Sequence, residues 1–329
     1  MTNVIGRLAP SPTGALHVGN ARSFLLAWLS VRQQGGMLLF RMEDIDSPRV
    51  KSWARQQTLD DLRWLGLDWD WGPDVGGPHA SYVQTERAGR YSELLEQLIA
   101  ADTLYPCTCS RREVAEAASA PHELALSDLP PIEGAIYPGT CRLRDALETN
   151  EVFAWRWRFK AGPDAWWDEV LGRQVANPER QLGDFVIAKS DGTAAYQLAV
   201  VVDDYDMGVT EVVRGSDLVP STFRQIAILR QLGWPMPKYC HVPLIVGPDG
   251  RRLAKRHGDT RLSYLRERGV SPQMLVGYLA WTLGLLAEPE EIDPQELVRN
   301  PVRQLAWQRI SASPTVFNVD EFLQRYARR

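Results

Sequence analysis

Residues 4–22 read VIGRLAPSPTGALHVGNAR, and this stretch has the pattern of a strand, a tight loop and a helix in succession. Residues 4–8 suit a short strand, because they are mostly apolar and are followed at once by a proline-rich loop. A helical pattern then runs over residues 17–34, until two consecutive glycines interrupt it. Such a loop can present backbone N–H groups and the positive end of a helix dipole to a phosphate. Nucleotide binding is therefore the first functional hypothesis.

The same alternation continues beyond the first helix. Residues 37–41 are a second strand candidate, residues 43–46 form an acidic loop, and Ser47 with Pro48 has the form of a helix start. Strands that alternate with helices in this way predict a parallel, doubly wound α/β sheet.

The second half of the chain begins with two strand-like runs, at 184–189 and 193–202, on either side of a Ser-Asp-Gly turn. A helix is expected near residues 221–232 and a strand near 242–246. The chain then enters a basic, glycine-bounded loop at 251–258, which either is an exposed surface loop or closes on the polyphosphate bound by the first loop. The remainder is predicted to be helical.

Composition limits the class of protein. With 329 residues and 44% hydrophobic content, the chain can bury a sizeable core in about two domains. The net charge of −4 neither supports nor excludes RNA, which would have to bind a local basic patch. The longest apolar stretch, residues 275–286, is too short to span a bilayer, and no secretory signal is visible. We therefore expect a cytoplasmic protein with no membrane partner.

The alternation of strands and helices is interrupted between residues 99 and 189, and we interpret this region as an inserted subdomain. Residues 115–139 are rich in proline and alanine and are predicted to form a long loop. Residues 155–160, WRWRFK, alternate aromatic and basic side chains, so they predict a strand whose cationic face is solvated or contacts phosphate. Three of the four cysteines cluster in this region: Cys107, Cys109 and Cys141. Their spacing alone leaves metal binding and simple burial both open.

Five ordered blocks of sequence resemble the class I glutamyl-tRNA synthetases. Residues 7–22 look like their HIGH motif region and residues 252–258 like their KMSKS loop, while blocks at 41–46, 196–204 and 213–218 also agree. Within this family the chain is most similar to a shortened branch, the glutamyl-queuosine tRNA(Asp) synthetases. That branch keeps the catalytic part and lacks the anticodon-binding domain.

The resemblance implies an α/β fold of known organisation. A class I aminoacyl-tRNA synthetase Rossmann catalytic domain would be formed by residues 1–98 and 190–235. An inserted, zinc-bearing α/β subdomain would occupy residues 99–189, and residues 236–329 would hold the KMSKS-like loop and a small helical domain. A monomer is expected.

The resemblance also implies the site residues. The expected glutamate pocket consists of Arg7, Ala9, Ser11, Glu43, Tyr196 and Arg214. The residues expected at ATP are Pro10, His17, Gly19, Asn20 and Lys255, with His17 and Lys255 as the catalytic residues. Two arginines and one glutamate suit the amino acid glutamate, which has two carboxylates and one ammonium group. Which arginine binds which carboxylate stays open.

Two metals are implied as well. Mg²⁺ is expected with ATP, and one structural Zn²⁺ is expected at Cys107, Cys109, Tyr137 and Cys141. Such a zinc would hold the insertion together and would not activate water.

Some positions depart from the family pattern. Asn20 stands where the motif has a second histidine, Arg252 replaces the first lysine of the KMSKS loop, and Ala254 replaces its serine. Without that hydroxyl the loop has one phosphate donor fewer, which predicts a slower activation step. Phe223 interrupts a Thr-Pro-Arg-Gln pattern.

The reaction expected from the resemblance has two steps: glutamate and ATP form glutamyl-AMP, and the glutamyl group then passes to queuosine at the wobble position of tRNA(Asp). One alternative is a glutamyl-tRNA synthetase that charges the 3′ end, which would need a further anticodon-reading domain. A nucleotidyltransferase acting on a small molecule and a non-catalytic RNA-binding paralogue are two others. The nucleotidyltransferase would not need the set Arg7, Glu43 and Arg214, and the intact set Arg7, His17, Glu43 and Lys255 disfavours the non-catalytic paralogue.

Overall fold

The computed structural model describes residues 4–46, 49–79, 81–119, 133–144, 152–253 and 257–327. Its strands are Ile5–Leu8 (β1), Met37–Phe40 (β2), Leu104–Cys107 (β3), Ala154–Trp157 (β4), Asp164–Asp168 (β5), Gly172–Ala176 (β6), Phe185–Ala188 (β7), Glu211–Gly215 (β8), Lys238–Val242 (β9), Ile245–Val246 (β10) and Thr315–Val316 (β11). Its α-helices are Val18–Gln33 (α1), Ser52–Trp64 (α2), Ala88–Ala100 (α3), Arg111–Ser119 (α4), Pro178–Gln181 (α5), Tyr196–Asp206 (α6), Val219–Leu232 (α7), Leu262–Glu267 (α8), Pro272–Thr282 (α9), Pro294–Arg299 (α10) and Val319–Tyr326 (α11).

The central sheet is built from parallel strands. β1 pairs with β2 across the crossover helix α1, and β8 pairs with β9. β8 lies beside β1. Thr210, immediately before β8, donates its N–H to the Ile5 carbonyl of β1 at 2.8 Å. β5 follows β9 in parallel, and β6 adds an antiparallel edge. The predicted parallel α/β arrangement is therefore confirmed: β6-β5-β9-β8 are paired in that order, and the β1-β2 pair lies next to them at β8.

Helix α1 lies at the centre of the largest hydrophobic cluster. Leu25, Trp28 and Leu29 on this helix are almost completely buried. Gly6 in β1 allows the helix to approach the strand, since a Cβ at that position would lie 2.4 Å from Cγ2 of Val31. The helix also contacts α9 and α10, and the same cluster includes side chains from α11. The C-terminal helices thus share one core with the first strand and helix.

A second, antiparallel sheet contains β3, β4 and β7. Asp184, just before β7, connects this strand to β3 and to β4 with the residues that follow it. Its carboxylate accepts hydrogen bonds from the Tyr105 hydroxyl and from the Phe159 N–H, both at 2.8 Å, and its carbonyl accepts one from Arg156 at 2.7 Å. These bonds satisfy polar groups that would otherwise be buried at a cost.

Several predicted elements are confirmed and others are wrong. The helix predicted at 17–34 is α1, the helix near 221–232 is α7, and the strand at 184–189 is β7. The strand predicted at 193–202 is instead part of helix α6. Its apolar run is buried throughout, and a short apolar run without alternation suits a buried helix as well as a buried strand.

Three other predictions need correction in detail. The strand expected near 242–246 is split into β9 and β10, because Pro243 between them cannot donate to a strand ladder. The C-terminal region is not helical throughout, since β11 pairs in parallel with β10. Helix α4 also extends into the region predicted as a long loop.

The basic face of residues 155–160 is also corrected. Arg156 is buried instead of solvated, and its guanidinium carbon lies 3.7 Å from the centre of the Tyr137 ring. An arginine can be buried in this way when it donates hydrogen bonds and stacks on an aromatic face.

Some predictions fall outside the described residues. These are the helix start at Ser47 and Pro48, most of the loop predicted at 115–139, and Lys255. Among the helices that the structure describes, none combines the length and apolar character needed to cross a membrane.

Candidate active site

A cavity of about 690 Å³ lies where β1 and β8 end and where α1 begins. Parallel α/β sheets bind ligands at the carboxyl ends of their strands, so its position is typical of the fold. Every described residue that was predicted to bind glutamate or ATP lines this cavity: Arg7, Ala9, Pro10, Ser11, His17, Gly19, Asn20, Glu43, Tyr196 and Arg214. The structure therefore brings together residues that are more than 200 positions apart. Lys255 lies outside the described residues.

His17 is the N-cap residue of α1. Its Nδ1 accepts the Gly19 N–H at 3.0 Å, so a neutral ring carries its proton on Nε2. Burial, reinforced by the positive charge of Arg252, lowers the pKa of His17 to about 4. The imidazole is therefore neutral near pH 7 and keeps one N–H donor that the helix cap does not use.

Asn20 and Gly19 both support this histidine. Asn20 Oδ1 accepts the His17 N–H at 3.1 Å, which completes a reciprocal capping box. A Cβ at Gly19 would lie 2.9 Å from His17 Cε1, so a larger residue would displace the ring. The asparagine that departs from the family motif thus has a structural role at the helix start.

The described residues on either side of positions 254–256 lie at or near the cavity. Arg252 and Leu253 line the cavity, and Arg252 pairs with Asp217 at 3.2 Å. Farther along the chain, Arg261 forms an isolated antiparallel bridge with His17. The chain before and after positions 254–256 therefore lies beside the first loop, as expected if both act on one polyphosphate.

A network of buried charges surrounds Arg41, which is completely buried. Arg41 Nη2 lies 2.9 Å from Glu43 Oε1 and 2.7 Å from Asp204 Oδ1. Arg7 Nε lies 3.7 Å from the same Asp204 oxygen, and Arg7 Nη1 donates to the Val213 carbonyl at 3.1 Å. Arg7 and Glu43, predicted to bind opposite charges of glutamate, are thus linked through Arg41 and Asp204.

Burial is the largest influence on ionisation in this network. It raises the pKa of Glu43 against the charges of Arg41 and Arg7. It lowers the pKa of Arg7 against the charge of Asp204. For Arg41 the neighbouring carboxylates outweigh burial and raise the pKa. Each charge therefore depends on its partners, and removing one partner of a buried pair typically costs about 3–5 kcal/mol.

Arg214 is held by side chains from α7 and β9. Its Nη2 donates to Thr222 Oγ1 at 2.7 Å and to Gln225 Oε1 at 2.8 Å, and its Nε donates to His241 Nε2 at 3.1 Å. Nη1 of Arg214 is buried and has no hydrogen-bond partner among the described residues. The same is true of Nε of Arg7. Both arginines therefore keep donors that a ligand could use.

Tyr196 begins helix α6 and is partly exposed to the cavity. Burial raises the pKa of its phenol, although the charge of Arg214 opposes this effect, so the hydroxyl stays protonated near pH 7. It can donate a hydrogen bond to a ligand or accept one from it.

Sequence reasoning assigned no role to several residues around the cavity. Arg41 and Asp204 are in two of the sequence blocks that resemble the family. The acidic pair Asp203 and Asp204, directly after an apolar run, could have indicated a buried charged site. Asp168 and His241 carried no signal, because they are 73 residues apart and meet only through the pairing of β5 with β9. Phe223, the interruption of the family pattern, packs against Trp166 with ring centres 5.7 Å apart.

The cysteine cluster forms a separate candidate metal centre. The Sγ atoms of Cys107, Cys109 and Cys141 all lie within 4.8 Å of one another, and those of Cys109 and Cys141 are 3.6 Å apart. The Tyr137 hydroxyl lies 3.4 Å from Cys107 Sγ and 3.8 Å from Cys109 Sγ. Tetrahedral coordination with bonds of about 2.3 Å to sulfur separates ligand atoms by about 3.8 Å. The four side chains therefore fit one metal ion.

Ionisation of the thiols is consistent with this arrangement. Burial tends to raise the pKa of Cys141, but hydrogen bonds from Thr108, Tyr137 and Cys109 outweigh it and lower the pKa to about 7. Burial raises the pKa of Cys109 to about 11. Of these two thiols, Cys141 more readily becomes the thiolate required for metal binding. Cys240 is buried in the central sheet and is not part of the cluster.

Comparison with known proteins agrees with the fold. A family model described as tRNA synthetases class I (E and Q), catalytic domain, matches residues 3–322. The Glutamyl-Q tRNA(Asp) synthetase of Rhodopirellula baltica is 48% identical and matches over 98% of both chains. That of Symbiobacterium thermophilum is 49% identical over 94% of both.

More distant relatives are longer than this chain. Glutamate--tRNA ligase 2 of Coxiella burnetii is 38% identical over 98% of this chain and 65% of its own length. A crystal structure of a glutamate tRNA ligase from Elizabethkingia meningosepticum, in complex with its amino acid, superposes with a TM-score of 0.80 at 25% identity. It covers 97% of this chain, which covers 68% of that structure. The chain therefore belongs to the class I tRNA synthetases of the E and Q group and is an enzyme of the ligase class.

Proposed function

We propose that this enzyme activates L-glutamate with ATP as glutamyl-AMP and transfers the glutamyl group to queuosine at the wobble position of tRNA(Asp). One observation carries the glutamate assignment: Arg7 and Arg214 line the same cavity, and each has a buried N–H group that makes no hydrogen bond among the described residues, although that of Arg7 lies within ion-pair distance of Asp204. Buried donors are normally hydrogen-bonded, so an acidic ligand fits them.

The types of residue in the predicted pocket also favour glutamate. Arg7 and Arg214 can each face a carboxylate, and Glu43 can face the ammonium group. Glutamine would leave a buried cation unpaired, so we expect it to be a poor substrate. Ala9 and Ser11 would complete the pocket as small residues, and Tyr196 would donate its hydroxyl to a glutamate oxygen.

ATP would bind at the start of α1. The helix N-terminus attracts phosphate, and the neutral His17 can donate its Nε2 proton to a phosphate oxygen. Pro10, Gly19 and Asn20 would form the adjoining wall. Lys255 would contact the phosphates from the basic loop, an assignment that rests on its place in the KMSKS-like sequence. With Ala254 in the loop, we expect slower activation than with a serine there.

In the first step a carboxylate oxygen of glutamate forms a bond to the α-phosphorus of ATP, and the bond to pyrophosphate breaks. Mg²⁺ bound with ATP supplies positive charge that offsets the phosphates. In the second step an RNA hydroxyl attacks the glutamyl carbonyl, and AMP leaves. No side chain is a nucleophile, so the residues act by positioning the reactants and by stabilising charge.

We also propose that the cysteine cluster binds one structural zinc ion. Three thiols and a phenol at tetrahedral spacing suit zinc better than Mg²⁺ or Ca²⁺, which prefer oxygen ligands. The metal would hold together an inserted subdomain at 99–189, between the two parts of the catalytic domain. Residues 236–329 would form the KMSKS-like loop and the helical domain.

The acceptor rests on the relatives. Those with 45–49% identity over most of the chain are named Glutamyl-Q tRNA(Asp) synthetase. The alternative, transfer to the 3′ end of tRNA, is supported by the Coxiella burnetii ligase at 38% identity. The active site described here suits both, because the first step is the same.

The two acceptors can be separated by locating the product. tRNA with and without queuosine is incubated with ATP and labelled glutamate, digested with nuclease, and separated into anticodon and 3′-terminal fragments. Label in the anticodon fragment of queuosine-containing tRNA alone supports the proposal. Label at the 3′ end regardless of queuosine establishes the alternative.

A further inference from the structure

We propose that Asp168 and His241 are positioning residues that hold the Arg214 guanidinium in the orientation that binds glutamate. This inference rests on the proposed role of Arg214 in glutamate binding. Neither residue is in the set predicted from the resemblance, and neither lines the cavity.

The first step of the argument is the hydrogen bonding of Arg214 itself. Nη2 makes two hydrogen bonds, to Thr222 and Gln225, and Nε makes one, to His241. Three of the five N–H donors of the guanidinium are therefore used by these contacts. Only Nη1 is left for a ligand. The bond to His241 is the one that fixes the Nε edge, and with it the rotation of the planar group.

The second step is the tautomer of His241. Arginine can only donate, so His241 Nε2 must accept, and the ring proton must be on Nδ1. Nδ1 lies 2.7 Å from Asp168 Oδ2, which accepts that proton's hydrogen bond. Asp168 thus selects the one tautomer that can bind Arg214. An imidazolium would direct an N–H at the Arg214 N–H group, and burial accordingly lowers the pKa of His241 to about 4.

The third step is the rigidity of Asp168. Its Oδ1 accepts the N–H groups of Val170 and Leu171 at 2.9 and 2.8 Å, and its Oδ2 accepts the backbone N–H of His241 at 3.0 Å. The carboxylate and the imidazole are both completely buried. The His241 ring is also packed against Trp166 and Tyr239, with ring centroids 5.5 and 5.9 Å away. Neither group can turn without breaking several contacts.

This geometry also gives the buried charge of Arg214 a counterion. The negative Asp168 lies one neutral imidazole away, so the guanidinium keeps its Nη1 donors free for a ligand instead of forming a direct ion pair. A direct carboxylate partner at Nη1 would compete with glutamate.

The test compares glutamate-dependent ATP–pyrophosphate exchange in three variants. His241→Phe keeps the ring and removes both ring nitrogens, while His241→Gln keeps an oxygen that can accept from Arg214. Cys240→Ala is the matched control, because it changes the adjacent buried residue of β9 without touching Arg214. We expect the KM for glutamate to rise at least about tenfold in His241→Phe, less in His241→Gln, and not in Cys240→Ala.

The KM for ATP should change less than about twofold in all three variants, because α1 and the basic loop are not altered. A partial loss of folding would instead lower the maximal exchange rate without raising either KM, because fewer molecules would be active. Asp168→Asn gives a separate arm: its amide can donate to Nδ1 and stabilise the wrong tautomer, so its KM for glutamate should also rise although its shape is nearly unchanged.

One measurement needs no variant. Nitrogen-15 NMR of the complete wild-type chain should show His241 as the Nδ1–H tautomer at pH 7. A proton on Nε2, or an unchanged KM for glutamate in His241→Phe, would overturn the inference. Absence of any glutamate-dependent exchange in the wild type would instead overturn the proposed function, so the two failures are distinguishable.

Discussion

Arg41 connects the two parts of the proposed glutamate pocket, although it was not predicted to bind glutamate. It contacts Glu43 and Asp204 directly, and Asp204 in turn lies close to Arg7. Because these groups are buried, their mutual attraction has to offset a large desolvation cost. The network therefore fixes the positions of Glu43 and Arg7 before substrate arrives, which reduces the cost of ordering them on binding.

At the scale of single residues, Lys255→Ala should reduce glutamate-dependent ATP–pyrophosphate exchange by at least about a hundredfold, because one phosphate contact is lost in the transition state. Glutamate affinity, measured by calorimetry without ATP, should change little. Lys160→Ala is the control, since Lys160 is an exposed lysine outside the cavity. Exchange near the wild-type rate in Lys255→Ala would remove this lysine from the mechanism.

His241 also predicts a specific dependence of stability on pH. Its pKa is about 4 in the folded protein and about 6.5 when unfolded, so between these values the unfolded chain binds more protons. The contribution of the neutral His241 imidazole to the free energy of unfolding is fully present above about pH 6.5, and it is lost as the pH falls toward 4. The difference corresponds to about 3 kcal/mol.

The measurement is urea unfolding of the wild type and His241→Phe at several pH values. The variant has no imidazole to protonate at position 241. The difference in free energy of unfolding between the wild type and the variant should therefore shrink as the pH falls from 7.5 to 4. His17 has a similarly lowered pKa but is present in both proteins and cancels. A deficit that is constant over this range would contradict the assigned pKa.

At the scale of elements, one residue at the N-terminus of α1 has both a structural role and a proposed role in binding. His17 Nδ1 caps the helix, and the same bond determines that Nε2 carries the proton. The cap therefore fixes the orientation of the ring and the N–H donor that we propose contacts a phosphate.

Gly19→Ala tests this coupling. The new Cβ would lie 2.9 Å from the His17 ring, so the ring must move and the cap must weaken. Loss of an N-cap typically costs about 1 kcal/mol, and we expect a rise of at least about tenfold in the KM for ATP with a smaller change for glutamate.

The matched control is Gly89→Ala, near the start of α3, where a Cβ would have no neighbour within 4 Å. That variant should be neutral, or more stable by about 0.5–1 kcal/mol, because alanine lowers the entropy of the unfolded chain. Equal effects of the two substitutions would show that Gly19 has no special relation to His17.

At the scale of the whole molecule, the purified protein should contain about one zinc ion per chain in a sulfur-rich, tetrahedral site. Cys107→Ser should lose the metal and destabilise the sheet of β3, β4 and β7, because Cys107 ends β3. Cys240→Ser should retain it, as Cys240 is not in the cluster. Metal analysis and X-ray absorption under reducing conditions provide the measurement. A metal-free protein with intact thiols would show that the cysteines are buried together without binding a metal.

The sequence by itself was sufficient for the strand, loop and helix at residues 4–33, and the resemblance of its motifs to the family supplied the residues around the cavity. These depend on local features: proline and glycine end the elements, helical periodicity marks α1, and the motifs contain their own residues in order. Local patterns failed where the environment decides between states. The apolar run in helix α6 does not alternate with polar residues, so its sequence fits a buried helix and a buried strand equally well. Packing in the folded protein decides for the helix.

The tertiary structure alone decided how the charged groups are paired. Arg156 looked solvated in the sequence and is buried on Tyr137, while Arg41 and Asp204 acquired partners from distant strands and helices. Asp168 and His241 are linked only because β5 and β9 lie side by side. Hydrogen bonds and ion pairs depend on distances of about 3 Å, and contacts between residues far apart along the chain exist only after the sheet has formed.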